Sequence, residues 1–150
     1  MDPERAAWNV TPLLSAKGAE EVEARLLSLP QIVAPVTHHQ DAPGVYMREI
    51  LMPAGSVIIG HAHTTKHYNI VLTGRALVSC DDGKTSAEIV APCVFVSEAG
   101  VRKRLYIVEE MRWLTVHPTK LTDLTKLEKK LIEKSPTHKK HMKLLQEKNA

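Results

Sequence analysis

From Val45 the chain falls into about eight short apolar runs of strand length. These are Val45–Met52, Val57–His63, His67–Thr73, Arg75–Cys80, Thr85–Val90, Cys93–Ser97, Val101–Glu109 and Met111–His117. Within them apolar and polar positions tend to alternate, as in strands with one buried face. Pro53-Ala54-Gly55 reads as a turn, and Asp81-Asp82-Gly83-Lys84 is a tight-turn signal. Many short strands at near-regular spacing predict a sandwich or barrel.

The flanks follow a different period. Residues 18–28 predict a short helix with acids in its first turn, where the helix dipole favours them, ended by Pro30. Ile32–Val36 predicts a lead-in strand, and His38 to Gly44 a loop. After Pro118, Leu121, Leu124, Leu127, Leu131 and Ile132 recur at three- and four-residue steps, the mark of one apolar helical stripe. Ser135-Pro136 then reads as an N-cap with proline at the first helical position, opening a second, weaker helix. The organisation expected is a single domain: residues 1–44 as N-terminal helix and lead-in strand, 45–118 as the barrel, and 119–150 as a basic helical extension.

Composition narrows the class. At 150 residues, 43% hydrophobic and 25% charged, the chain is long enough for one domain with a core. No apolar run reaches membrane-spanning length, and the Met-Asp-Pro-Glu-Arg start has no leader pattern. Two cysteines do not suggest a disulfide framework, so a reducing cytoplasm is the default compartment. The net charge of +3 is unevenly spread: residues 1–118 carry 11 Lys/Arg against 13 Asp/Glu, whereas residues 119–150 carry nine Lys against four acids. That basic tail could meet phosphates, but it has no arginine and almost no aromatic residue, so a solvated helical surface is the simpler expectation.

The candidate chemistry lies between Gly55 and Gly74. His61 and His63 are two apart in a predicted strand, which would put both imidazoles on one face. A turn at Thr64-Thr65-Lys66 would bring His67 beside them. Three convergent neutral imidazoles suit a divalent metal such as Fe, Ni, Mn or Zn, among which spacing cannot choose. By strand position Tyr46, Arg48, Asn69 and Tyr106 are candidate substrate-binding groups. His117, His138 and His141 read as surface residues.

Gly55, His61, His63, His67 and Gly74 occupy every fixed position of the first motif of the cupin superfamily, which the chain therefore resembles. The departure is His67, where the family usually has Glu. The second motif is matched only at Gly100, with Pro92, Glu98, Lys103 and Ile107 replacing its other fixed residues. The resemblance covers roughly residues 45–117 and implies a double-stranded β-helix, a jelly-roll barrel with metal ligands at its mouth. The chain also looks like the small single-domain cupins of bacteriophage genomes, whose activities are largely unassigned.

The resemblance puts Lys103 where a fourth ligand usually stands. Facing inward, it would be an anion clamp or general base, with Val101 and Leu105 inside beside it and Arg102 and Arg104 on the other face. The expected function is a metal-binding cupin, with an oxygenase, lyase or isomerase step on a small anionic substrate. The alternatives are a non-catalytic ligand-binding cupin, and an interaction protein whose tail contacts nucleic acid or a partner. Ile70 and Leu72 alternate outward yet are apolar. They need cover from the C-terminal stripe or from a second subunit, which points to a homodimer.

Overall fold

The computed structural model describes residues 19–80 and 86–149. The tight turn expected at Asp81–Lys84 lies outside them. In chain order the elements are α1 (Ala19–Leu27), β1 (Val36–His39), β2 (Val45–Met52), β3 (Val57–Ile59), β4 (Ala62–His63), β5 (His67–Cys80), β6 (Ser86–Val90), β7 (Cys93–Ser97), β8 (Lys103–Pro118), α2 (Leu124–Leu131), β9 (Ile132–Glu133) and α3 (Pro136–Lys148). The protein is mainly β, with a short N-terminal helix and C-terminal helices.

Two long strands organise everything else. The runs expected as separate strands on either side of Gly74 form one strand, β5, of 14 residues, and those on either side of Glu110 form β8, of 16. They pair antiparallel from Tyr68↔Val116 to Cys80↔Lys103, with register shifts around Thr73 to Ala76. The strands β1, β2, β3, β5, β6, β7 and β8 form one seven-stranded sheet, in which the N-terminal half of β5 and the C-terminal half of β8 carry β1, β2 and β7 as one layer. The other halves carry β3 and β6 as a second layer, and β4 pairs with β9 in a separate two-stranded sheet. A strand pair that changes register midway bends there, which is how one ladder serves two packed layers.

Gly74 sits at that bend with φ +95°. A Cβ there would lie 2.3 Å from the Glu110 carbonyl oxygen and 2.6 Å from Met111 Cγ. Only glycine combines that backbone with that approach.

The core lies between the layers. Met52, Val71, Ala76, Val78, Leu105, Ile107, Met111 and Trp113 form one buried cluster. The inner face of the first layer grades along its strands. Met52 faces Met111 and Ile50 faces Trp113, then Arg48 faces Thr115 and Tyr46 faces His117. The apolar end is the core floor and the polar end is the mouth.

Several expectations are corrected. The lead-in strand falls later, at Val36–His39, because His38 and His39 pair with Arg48 and Met47 instead of looping out. The run Val57–His63 breaks into β3 and β4 at Gly60-His61, because β3 pairs with β8 whereas β4 pairs with β9 from the C-terminal segment. Ile132, read as part of the helical stripe, belongs to that strand. The stripe does not cover Ile70 and Leu72. Leu127 and Leu131 instead pack on Tyr46 at the mouth, leaving Leu72 42% and Tyr68 58% exposed on the outer face.

The bend predicts that Gly74→Ala will cost roughly 3–5 kcal/mol, the range of severe backbone and packing conflicts. Urea unfolding of the variant against wild type measures it, and a shift within 1 kcal/mol would remove Gly74 as a structural constraint.

Candidate functional site

Three imidazoles meet at the mouth: those of His63, His67 and His117. Ring centroids are 4.3 Å apart for His63–His67, 5.3 Å for His63–His117 and 5.0 Å for His67–His117. Each comes from a different strand. His63 ends β4, His67 opens β5, and His117 stands one residue before the end of β8. His67 and His117 are adjacent because Tyr68 pairs with Val116. His63 is held over them by the C-terminal segment: it pairs with Ile132, and Thr64 donates N–H to the Leu131 carbonyl at 2.9 Å.

His117 was read from the sequence as a surface residue, yet it is 1% exposed. Strand alternation carried the signal, since Met111, Trp113, Thr115 and His117 are spaced by two and the first two are core residues. His61, expected beside His63, is elsewhere. Its ring meets His138 edge-on at 4.7 Å, at the start of α3. Alternation fails for it because Gly60 and His61 lie between strands rather than within one.

Two of the three rings have one nitrogen anchored. His67 Nδ1 bonds the Thr65 carbonyl oxygen at 2.9 Å, leaving Nε2. His117 Nε2 lies 3.1 Å from Thr115 Oγ1, while its buried Nδ1 has no partner among the described residues. A ring oriented through one nitrogen with the other available is the usual state of a metal-binding histidine. Three nitrogens at about 2.1 Å from one ion would place ring centres roughly 4.5–5.2 Å apart, close to the spacings found. No group of three or more His, Cys, Asp or Glu among the described residues is already arranged to hold a metal ion as it stands. The rings are close-packed rather than closed around an ion.

The electrostatics keep the cluster neutral. Burial, then the neighbouring His67, His117, Lys103 and Arg48, push His63 down to about 3. Burial, His67 and Arg48 push His117 down to about 4. His67 is lowered by burial and Lys103, against the opposing pull of the Thr65 carbonyl. Neutral imidazole is the form that binds metal.

Around the cluster the other expected site residues divide. Tyr46 and Arg48 line a cavity of ≈ 320 Å³ together with His38, His61, His63 and His117. Tyr46 is stacked between His38 and His117 and shares a 2.7 Å hydrogen bond with His38 Nδ1. His38, expected in a loop, is therefore part of this wall.

Asn69 is not part of the wall. Both ends of its amide are used, donating to Ser97 Oγ at 2.8 Å and accepting from Trp113 Nε1 at 2.9 Å, so it braces the cluster from behind. Tyr106 is also removed from the site. It lies on the opposite face of β8 from Leu105, buried with Val108 against Val57 and Leu77. Lys103 sits beneath the cluster, with its ammonium bonded to Ser97 Oγ and 5.8 Å from the Phe95 ring centre. Leu105 is inside as expected, and Arg104 shares the opposite face of β8 with Tyr106, where it is buried at 3% exposure.

A second polar cluster ties the helices to the barrel. The buried Glu23 of α1 pairs with Arg102 and accepts from the Ser135 hydroxyl, which also caps α3 by accepting from His138 N–H at 3.0 Å.

No protein-family model and no curated protein sequence matches this chain. Solved structures do resemble it. Ectoine synthase from P. lautus superposes with a TM-score of 0.54 at 14% identity, over 72% of this chain and 83% of that one. The plu4264 protein of Photorhabdus luminescens gives 0.50 at 11% identity, over 67% and 88%. An RmlC-like cupin with a double-stranded β-helix fold from Methanocaldococcus jannaschii gives 0.49 at 12% identity, over 59% and 82%. One seven-stranded sheet folded into two layers about β5 and β8, with the histidines of the Gly55–Gly74 motif at its open end, gives this chain the double-stranded β-helix, or cupin, fold.

Proposed function

We propose that this protein is a metal-dependent cupin in which His63, His67 and His117 hold one divalent ion and a small anionic molecule is processed beside it. The observation that carries this reading is the contact of three neutral rings, two of them anchored through one nitrogen with the other available. Three neutral ligands would leave the full charge of the ion to act as a Lewis acid or oxygen-binding centre. Closing on an ion asks for rotation of rings already in contact.

The chain's own residues then have separable tasks. Asn69, Ser97 and Trp113 form a hydrogen-bonded brace behind the cluster. Lys103 lowers the proton affinity of His63 and His67 by its charge, favouring their metal-binding form. Arg48 attracts an anion into the cavity. The fold leaves the reaction open among oxygenase, lyase and isomerase steps.

A ligand-binding protein without turnover is the second reading. It is favoured by Lys103 in place of a fourth ligand and by the roof that α2 and β9 form over the mouth. The outer face of Tyr68, Ile70, Val94 and Val96 suits a second copy of the chain, because a row of cross-strand apolar side chains needs cover. The lysines of α3 read as a solvated surface. No helix among the described residues is long and apolar enough to cross a membrane.

Metal analysis of protein purified without chelator should find about one equivalent per chain. His63→Ala and His117→Ala should fall below about a tenth of that, with His61→Ala unchanged. Loss of metal in His61→Ala with retention in His117→Ala would return the ligand set to the one expected from sequence.

The depressed proton affinities predict acid sensitivity. Unfolded histidine titrates near 6.5, whereas folded His63 and His117 titrate at about 3 and about 4. Below about pH 6.5 the unfolded chain takes up protons that the folded chain refuses. The metal-free protein should therefore be fully stable above that pH and lose stability progressively as pH falls toward about 4. Denaturant midpoints between pH 7.5 and 4.5 measure this, and His63→Gln should flatten the slope. Light scattering should give a dimer that Val94→Glu with Val96→Glu converts to monomer.

A further inference from the structure

The ≈ 320 Å³ cavity at the mouth has two unlike halves. One half is the polar wall of Arg48, His38, Tyr46, His63 and His117. The other is a roof of Leu124, Leu127, Leu131 and Ile132 from the C-terminal segment, with Val36 beside it. Arg48 stands between Thr115 and His38 on the inner face of its sheet. Among the described residues no carboxylate pairs with it. Its neighbour Glu49 points to the other face, where it holds Arg112 at 3.0 Å and His39 at 3.3 Å. Glu128, the acid that lines the cavity, is paired with Lys134 at 3.0 Å.

A half-buried guanidinium without a counter-charge is costly unless an anion completes it. Its planar fork matches a carboxylate through two parallel hydrogen bonds. A single free guanidinium, with no lysine on the cavity wall and Glu128 facing it, suits one negative charge and opposes two or more. The apolar roof requires the remainder of the ligand to be hydrocarbon. The volume is at the small end of ligand cavities, roughly 300–1,000 Å³.

We infer that the cavity selects a small organic monocarboxylate, its carboxylate on Arg48 and its apolar body under Leu124, Leu127 and Ile132. The inference rests on reading this cavity as the ligand chamber of the histidine centre. It adds to that reading the class of molecule bound and the residues that choose it. The C-terminal extension thereby becomes part of the binding site: α2 supplies half of its wall, and the β4–β9 pairing holds that wall over His63.

The test is calorimetric titration of acetate, butyrate, hexanoate and hexanamide into the full chain, both chelator-stripped and metal-loaded, with inorganic phosphate as the polyanion. Affinity should rise at least tenfold from acetate to hexanoate. Hexanamide and phosphate should each bind at least tenfold more weakly than hexanoate. Arg48→Met should erase the preference for hexanoate over hexanamide, and Arg48→Lys should keep part of it. Leu124→Ala, at a partly exposed position, should shrink the advantage of hexanoate over acetate.

Equal binding of hexanoate and hexanamide to the stripped wild-type protein would overturn the proposal, as would tighter binding of phosphate. Should Arg48→Met fail to fold, those wild-type comparisons still decide. The stripped protein separates the two readings. Carboxylate selectivity without metal uptake sinks the metal centre alone, whereas metal uptake without carboxylate selectivity sinks this inference alone.

Discussion

The pairing of β5 with β8 and its bend at Gly74 is the constraint on which the rest of the structure depends. Two strands of 14 and 16 residues are long enough to serve both layers of one sheet, provided their shared ladder can turn a corner. The corner requires a residue without a side chain, since the Glu109 and Glu110 carbonyls and Met111 occupy the space a Cβ would need. From that bend the first layer runs apolar from Met111 and Val71 to Trp113, then polar from Asn69 and Thr115 to His67 and His117. The core and the histidine cluster are thus two ends of one inner face.

This continuity explains the properties of the cluster. The histidines sit where the apolar interior gives way to the mouth, so burial is the largest influence lowering the proton affinity of each. The neighbouring cations Lys103 and Arg48 act in the same direction on His63. Neutral rings at neutral pH follow from position in the barrel and need no special hydrogen bonding. Hydrogen bonds fix orientation instead, through the Thr65 carbonyl and the Thr115 hydroxyl.

The C-terminal segment changes the character of an otherwise open mouth. Its β9 adds to β4 beside His63, and the apolar stripe of α2 packs on Tyr46 rather than on the outer sheet face. The choice is sterically reasonable: Leu127 and Leu131 find a concave polar-rimmed mouth to close, whereas the outer face of β5 and β7 is a flat row of Tyr68, Ile70, Val94 and Val96. Covering one surface leaves the other exposed.

Periodicity in the sequence was enough to show most strands, the two terminal helical regions and the N-cap at Ser135, because each depends on residues within a few positions. The Gly55–Gly74 spacing pointed to the cupin fold for the same reason. It was not enough to show that Gly74 lies inside one strand rather than between two, since a bend and a turn both call for glycine. Nor could local spacing choose between His61 and His117. Alternation applies only within a strand, and pairing of β3 with β8 and of β4 with β9 ends one strand before His61 and starts another after it. His117 joins His67 from fifty residues away because Tyr68 faces Val116. The kinds of side chain available at the mouth were written in local pattern, whereas their membership in one site was decided by cross-strand register, which only the folded chain establishes.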